Sequence, residues 1–265
     1  MTLFVKCHQT TFSSKKSENL QKILHLIDIS DAELDVFPEY AMGVPSNGLS
    51  QKFIQKNAEA LDGNFISKIL EKTQQKGSST VFSTFLREKN LVFNTAILAE
   101  AGRIRLVYKK IHLFDAFGYQ ESTLFTPGMK LAISEFKEFR IGLAVCFDLR
   151  FPELFRMMAY RGVNLFIVPS AWYVGKHKLE QWRILVRARA HENTSYLVAA
   201  NQTRPFFIGH SLVASPLGYT IHEIEEDQTS FKIELDITEI EETKKAIPVI
   251  DLSKPYLYKT FNNQS

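Results

Sequence analysis

Strands and helices alternate along both halves of this chain, hairpins interrupt the alternation, and no linker or repeat divides it. These observations predict an α/β fold, a four-layer α-β-β-α sandwich of two mixed sheets with outer helices. A strict strand-helix-strand rhythm would build one parallel sheet, and the hairpins add antiparallel pairs to it. The 265 residues read as one domain, 1–265, with an extended C-terminal tail from about residue 247.

Leu3 to Gln9 reads as a strand, and Leu20, Ile23, Leu24 and Ile27 then fall on one helical face. Leu34 to Phe37 is a short strand that stops at Pro38. Asn64 to Lys76 has the helical period, and Ser79–Arg87 and Leu91–Ala99 alternate as a hairpin around Glu88-Lys89-Asn90. Arg103 to Tyr108 continues that sheet, and Tyr119 to Lys130 is a long loop. A second run follows: a core strand at Arg140–Val145, then a helix that Pro152 opens from the first helical position. Leu165 to Val168 is a strand, Pro169 to Gly175 a loop, Lys178 to Asn193 a helix and Tyr196 to Ala200 a strand. Ser211–Ala214, Tyr219–Ile224 and Ser230–Leu235 are strands, and Ile237 to Lys245 is a short helix.

Composition narrows the function. Lys+Arg 32 against Asp+Glu 29 leaves +3, too little for a surface that tracks nucleic-acid phosphates. The longest apolar run, Leu165 to Val174, is far short of the roughly 20 residues that span a bilayer. Polar residues within Met1–Phe12 break any secretory signal, so a cytoplasmic location is expected. The two cysteines, Cys7 and Cys146, cannot staple a fold or build a four-thiolate zinc site. No G-x-G, H-E-x-x-H or G-x-S-x-G occurs, so neither a cofactor nor a metal is expected.

Three loops that begin at strand ends remain. One carries Glu39 directly after Pro38; one carries Lys109 and Lys110; one carries Cys146 between a buried strand and a helix. Residues at the C-terminal ends of strands converge over a rigid floor. A thiol needs a base to take its proton, and a neighbouring cation favours the thiolate. Glu, Lys and Cys together supply base, cation and nucleophile. By position alone each also has an ordinary reading, as a solvated loop acid, an exposed charge pair or a small buried filler. Cys7, inside an apolar strand, keeps the last of these.

In their order along the chain, these segments resemble the signature of the nitrilase superfamily of carbon-nitrogen hydrolases. Gln9, Asp62-Gly63, Asn94-Thr95-Ala96, Ala188 to Asn193, Gly209-His210-Ser211, Pro216-Leu217-Gly218 and Ile247-Pro248-Val249 fit the same family, so the likeness spans nearly the whole chain. The resemblance implies Glu39 as general base, Lys110 as the cation and Cys146 as nucleophile. Lys110 is preferred to Lys109 because it directly precedes Ile111-His112-Leu113. Glu121 matches a second glutamate that positions substrate and lysine, and the backbone N–H of Phe147 would help to hold an oxyanion. Cys146 is followed by Phe147-Asp148 where true nitrilases have Trp-Glu. That form resembles the amidase branch that contains omega-amidase and deaminated glutathione amidase. The segment Ser170 to Lys176 departs from the small-residue loop typical of those enzymes.

The expected activity is hydrolysis of a small carboxamide to carboxylate and ammonia through a thioester, without cofactor or metal. The preferred substrate carries a carboxylate, and the partner is that small molecule, with no nucleic acid and no membrane. Arg150 is either a clamp for the carboxylate or half of an ion pair behind the cysteine. Trp172 and Tyr173 are candidate pocket walls. Alternatives are an N-carbamoyl amidohydrolase, an aliphatic amidase or nitrilase, a catalytically silent scaffold that binds proteins, and redox pairing of Cys7 with Cys146. The resemblance also implies a homodimer or higher homo-oligomer. The apolar stretch Pro255 to Phe261 would want cover in it.

Overall fold

A computed structural model describes residues 1–257. Its first half runs β1 (Thr2–Gln9), α1 (Lys16–Asp28), β2 (Leu34–Val36), α2 (Gln51–Asn57), α3 (Asn64–Lys76), β3 (Ser79–Glu88), β4 (Leu91–Glu100) and β5 (Arg103–Lys109). The second half runs β6 (Ile133–Phe136), β7 (Phe139–Leu143), α4 (Pro152–Ala159), β8 (Leu165–Ser170), α5 (Lys178–His191), β9 (Tyr196–Asn201), β10 (Leu212–Ala214), β11 (Thr220–Glu223), β12 (Thr229–Asp236), α6 (Ile237–Ala246) and α7 (Val249–Leu252). Most expected elements stand within a residue or two of their places. The expected tail holds α7 and one 3-10 turn, Pro255–Leu257. Tyr258 and Phe261, counted in its apolar stretch, lie outside the described residues.

Two six-stranded sheets form, in the orders β12-β1-β2-β3-β4-β5 and β11-β10-β9-β8-β7-β6. In the first, β1, β2 and β3 are parallel and their neighbours antiparallel. The second repeats the plan, with β7, β8 and β9 parallel between antiparallel flanks. The halves thus share a topology that their sequences do not reveal as a repeat.

Alternation along the strands separates the layers. Val81, Ala96 and Leu98 join the central core with Cys7, Val36, Ile141 and Val168. Their strand neighbours Phe82, Ile97 and Ala99 pack outward with Ile23 and Ile27 of α1 and Phe65 and Ile69 of α3. Trp182, Val186 and Ala190 of α5 cover the second sheet. Successive side chains of a strand point to opposite faces, so each sheet is buried on both. That is why β2, β8 and β9 carry no exposed residue.

Three details differ from the sequence reading. α2 is seven residues long with only Ile54 and Asn57 buried, too short to display a period. β6 is an edge strand whose pattern is mostly half-exposed. Pro169 and Ser170 belong to β8, not to the following loop. Ile167 O accepts from Ala144 N on the β7 side and Ser170 O from Gln202 N on the β9 side. By alternation Pro169 faces the β7 side, where β7 has already ended at Leu143, so its missing N–H removes no ladder bond.

One glycine fixes how the end of β5 sits. Gly128 N donates to Lys110 O at 2.8 Å, and a Cβ at Gly128 would run into the carbonyl of Lys109. Gly128→Ala should therefore lower stability by about 1–3 kcal/mol in urea unfolding; an unchanged midpoint would mean that the loop yields freely.

Candidate active site

Four strands of the two sheets end on one side of the sandwich, and each delivers a group to one cavity. Glu39 follows β2, Lys110 follows β5, Cys146 follows β7 and Ala171 follows β8. Of the residues singled out from sequence, Glu39, Lys110, Cys146, Phe147, Arg150, Trp172 and Tyr173 line it. Glu121 stands behind Lys110, on a 3-10 turn at Glu121–Thr123 inside the long loop. Lys109 points elsewhere and pairs with Glu88 at 2.5 Å. Cys7 lies fully buried in the central core, and both cysteines are free thiols.

The charged groups interlock. Lys110 Nζ donates to Glu39 Oε1 at 2.9 Å and to Glu121 Oε2 at 2.8 Å. Asn94 Nδ2 donates to the same Glu39 oxygen at 2.7 Å and to Glu121 Oε1 at 2.8 Å. Tyr40 Oη and Phe114 N complete Glu121, at 3.1 and 2.7 Å. The other Glu39 oxygen accepts from Ala171 N at 3.0 Å, and Gln202 Nε2 holds the Glu39 carbonyl at 2.8 Å. Lys110, Glu39 and Glu121 are all buried.

Burial shapes their protonation. It raises Glu39 above the usual carboxylate range; Lys110 offsets part of the rise and Glu121 adds to it. Burial would lower the Lys110 ammonium, but Glu121 and Glu39 outweigh it and hold the proton firmly. Burial also pushes the Cys146 thiol well above its ordinary value, with the Glu39 charge adding and Lys110 countering. The resting site therefore holds a thiol, not a thiolate. Glu39 and the Ala171 N–H both bear on the sulfur's proton affinity, the carboxylate raising it and the N–H lowering it.

Cys146 occupies a left-handed backbone conformation, φ 44°, at the start of the 3-10 turn Cys146–Arg150. Such a residue costs on the order of 1–2 kcal/mol and persists only where its surroundings hold it. Asp148 does the holding. Its Oδ2 accepts from Val145 N and Tyr108 Oη, each at 2.8 Å, and its Oδ1 from His112 N at 3.1 Å. Oδ1 also meets His112 Nδ1 at 2.8 Å. Tyr108 and His112 flank Lys110, so one buried carboxylate ties the cysteine turn to the lysine loop. The Phe147 N–H within this turn pairs with no acceptor among the described residues.

The cavity is narrow and open at its mouth. Phe114, Phe147, Trp172 and Tyr173 wall it. Of the two readings of Arg150, the ion pair is not what forms. Its Nη2 donates to the neutral Gln181 Oε1 at 2.7 Å, and its guanidinium lies 4.8 Å from the Trp172 ring. Sequence reasoning missed Asp148 as a support and Lys178 as a pocket residue. A lysine on the first residue of a helix opposes the helix dipole, and that was the available signal for Lys178. Among the described residues no group of three or more His, Cys, Asp or Glu is placed to hold a metal ion.

Comparison with known proteins identifies the family. The carbon-nitrogen hydrolase family profile matches residues 5–245. The deaminated glutathione amidase of Escherichia coli O157:H7 is 28% identical over 244 residues, 91% of this chain and 92% of that protein. The 2-oxoglutaramate amidase of Bacillus subtilis (strain 168) is 29% identical over 264 residues, 96% of this chain and 98% of that protein. Among solved structures, XC1258 from Xanthomonas campestris, a CN-hydrolase superfamily protein, superposes with a TM-score of 0.86 at 26% identity. That match covers 96% of this chain and 98% of the other.

Asp148→Asn leaves its turn without a charged acceptor while preserving its size. Alkylation of Cys146 by iodoacetamide in the native protein should slow at least several-fold, and stability should fall by about 1–3 kcal/mol. Peptide mass spectrometry with Cys7 as the unreactive internal reference checks this; unchanged alkylation would remove Asp148 from the role.

Proposed function

The chain belongs to the carbon-nitrogen hydrolase family and is a cysteine-dependent amidase of the nitrilase superfamily; we propose that Cys146, Glu39 and Lys110 carry its reaction. The proposed substrate is a small carboxamide whose far end bears a carboxylate. What supports the assignment most is the single Glu39 carboxylate that binds the Lys110 ammonium and the Ala171 N–H in the same cavity that Cys146 lines.

In this reading Glu39 takes the thiol proton as sulfur bonds to the amide carbon, since neither group favours charge separation beforehand. The carbonyl π electrons move to oxygen, and Lys110 Nζ with the Phe147 N–H stabilises that oxyanion. Protonated Glu39 then gives its proton to the leaving nitrogen, the carbon–nitrogen bond breaks and ammonia departs. Glu39 next takes a proton from water as the water attacks the thioester, and collapse of the second tetrahedral state expels the sulfur, which takes that proton back from Glu39. The released acid and the restored thiol close the cycle.

The carboxylate at the far end rests on Arg150, which faces the cavity with no acidic partner among the described residues. The activities named for the relatives from E. coli and B. subtilis point to the same class of amide. We place the enzyme in the cytoplasm, where free thiols persist; no helix among the described residues is long and apolar enough to cross a membrane.

Ammonia release measured across omega-monoamides, carbamoyl amino acids and nitriles tests the reading. The monoamides should be fastest, and Cys146→Ala should lower turnover by a factor on the order of 10⁴ or more. Turnover retained in that variant would sink the assignment. Because Glu39 must be ionised to act as base, kcat/KM should rise with pH through its elevated pKa, placing the acid limb above the ordinary glutamate range.

Assembly as a homodimer belongs to the same proposal. Met157 on α4, Tyr160 just past its end and Ile184 on α5 leave apolar surface in solvent that a second copy would cover. Light scattering should return about twice the chain mass; a monomer at micromolar concentration would reject it.

A further inference from the structure

The cavity holds more positive charge than its catalytic groups use. Lys110 is matched by Glu39 and Glu121. Arg150 and Lys178, both lining the same cavity, have no carboxylate partner among the described residues. Lys178 Nζ has no hydrogen-bond acceptor either, and lies 3.6 Å from the Phe117 ring centroid and 5.8 Å from that of Trp172. Arg150 approaches the same Trp172 ring, and its buried Nε has no partner. The backbone carbonyl of Lys178 accepts from Trp172 Nε1 at 3.0 Å, so the lysine is anchored to that wall.

Two cations on one aromatic wall repel each other, and the first turn of α5 adds the positive end of a helix dipole. Burial lowers the Lys178 ammonium and Arg150 lowers it further. Ring faces offset only part of this. An anion between the two side chains would remove the repulsion and supply the acceptors both lack.

We infer that Lys178 is a specificity-determining residue, which with Arg150 grips the terminal carboxylate of the substrate and leaves the Phe117 ring to do so. This rests on the proposed hydrolysis of carboxylate-bearing amides and adds the residue that selects for them. Lys178 touches no reacting atom, and its contribution falls on binding.

Glutaric monoamide and pentanamide, equal in chain length and different in charge, separate the alternatives. Lys178→Met keeps the apolar stem against Phe117. It should raise KM for the monoamide at least tenfold with kcat within about threefold, and lower the monoamide-to-pentanamide preference at least tenfold. Lys178→Arg should recover most of that preference, and Lys178→Gln serves if the Met variant does not fold. Glutarate binding to Cys146→Ala protein, followed by calorimetry, gives a readout without turnover; adding Lys178→Met should weaken it at least tenfold. Parallel losses for both amides, no glutarate binding, or glutarate affinity indifferent to Lys178 would each overturn the inference while leaving the amidase assignment standing. Lys178-dependent glutarate binding without hydrolysis of either amide would uphold the anion grip and reject the proposed substrate class.

Discussion

A lysine ammonium buried between two carboxylates is the constraint from which the rest of the site follows. Lys110, Glu39 and Glu121 have almost no access to water, and an ion left unpaired there costs several kcal/mol. The three must therefore be brought within hydrogen-bonding distance by elements far apart in sequence: the end of β2, the end of β5 and a turn in the following loop. Asn94 from β4 spans both carboxylates with one amide nitrogen, which fixes their separation. The second sheet closes the cluster through Ala171 N on Glu39, so the cluster forms only when the sheets are packed together.

Two carboxylates against one ammonium leave the cluster one negative charge in excess. Even so, burial is what lifts the Glu39 proton affinity, with Lys110 offsetting more than Glu121 adds, and burial together with the Glu39 charge discourages a thiolate beside it. A permanently ionised thiol would gain little here, since nucleophilicity falls as thiol pKa falls. A protonated thiol facing a strong base moves its proton only as the carbon–sulfur bond forms. Strain sits at the same places: Tyr40, directly after Glu39, and Cys146 both adopt left-handed backbone conformations, φ 60° and 44°. Each is tolerable because a buried network surrounds it, and for Cys146 that network centres on Asp148.

The legible part of this protein was local. Periodicity located α3 and the β3–β4 hairpin because their patterns depend on residues a few positions apart. Chain order placed Glu39, Lys110 and Cys146 at strand ends, and the family resemblance supplied their roles. What stayed hidden depends on distant packing. The shared topology of the halves leaves no sequence repeat, since each position answers to a different neighbour. Asp148 looked like one letter of a motif until the fold set Tyr108 and His112, about 40 residues away, against it. Arg150 could not be assigned from sequence, because an ion pair and a substrate clamp require the same residue and differ only in what stands opposite.

That last ambiguity shows how charge is divided in the pocket. Lys110 is fully compensated by the protein, and compensation keeps it rigid and protonated whether or not substrate is present. Such a cation can stabilise an oxyanion without reorganising, which is the condition for electrostatic catalysis. Arg150, half-buried, and Lys178, buried, are the opposite case: set on aromatic rings and lacking acidic partners among the described residues. Groups of that kind release their unfavourable energy only when an anion arrives. Had a glutamate of the chain neutralised them, substrate would have to displace it and binding would weaken. The same residue type thus performs two jobs in one cavity, and the presence or absence of a carboxylate supplied by the chain decides which.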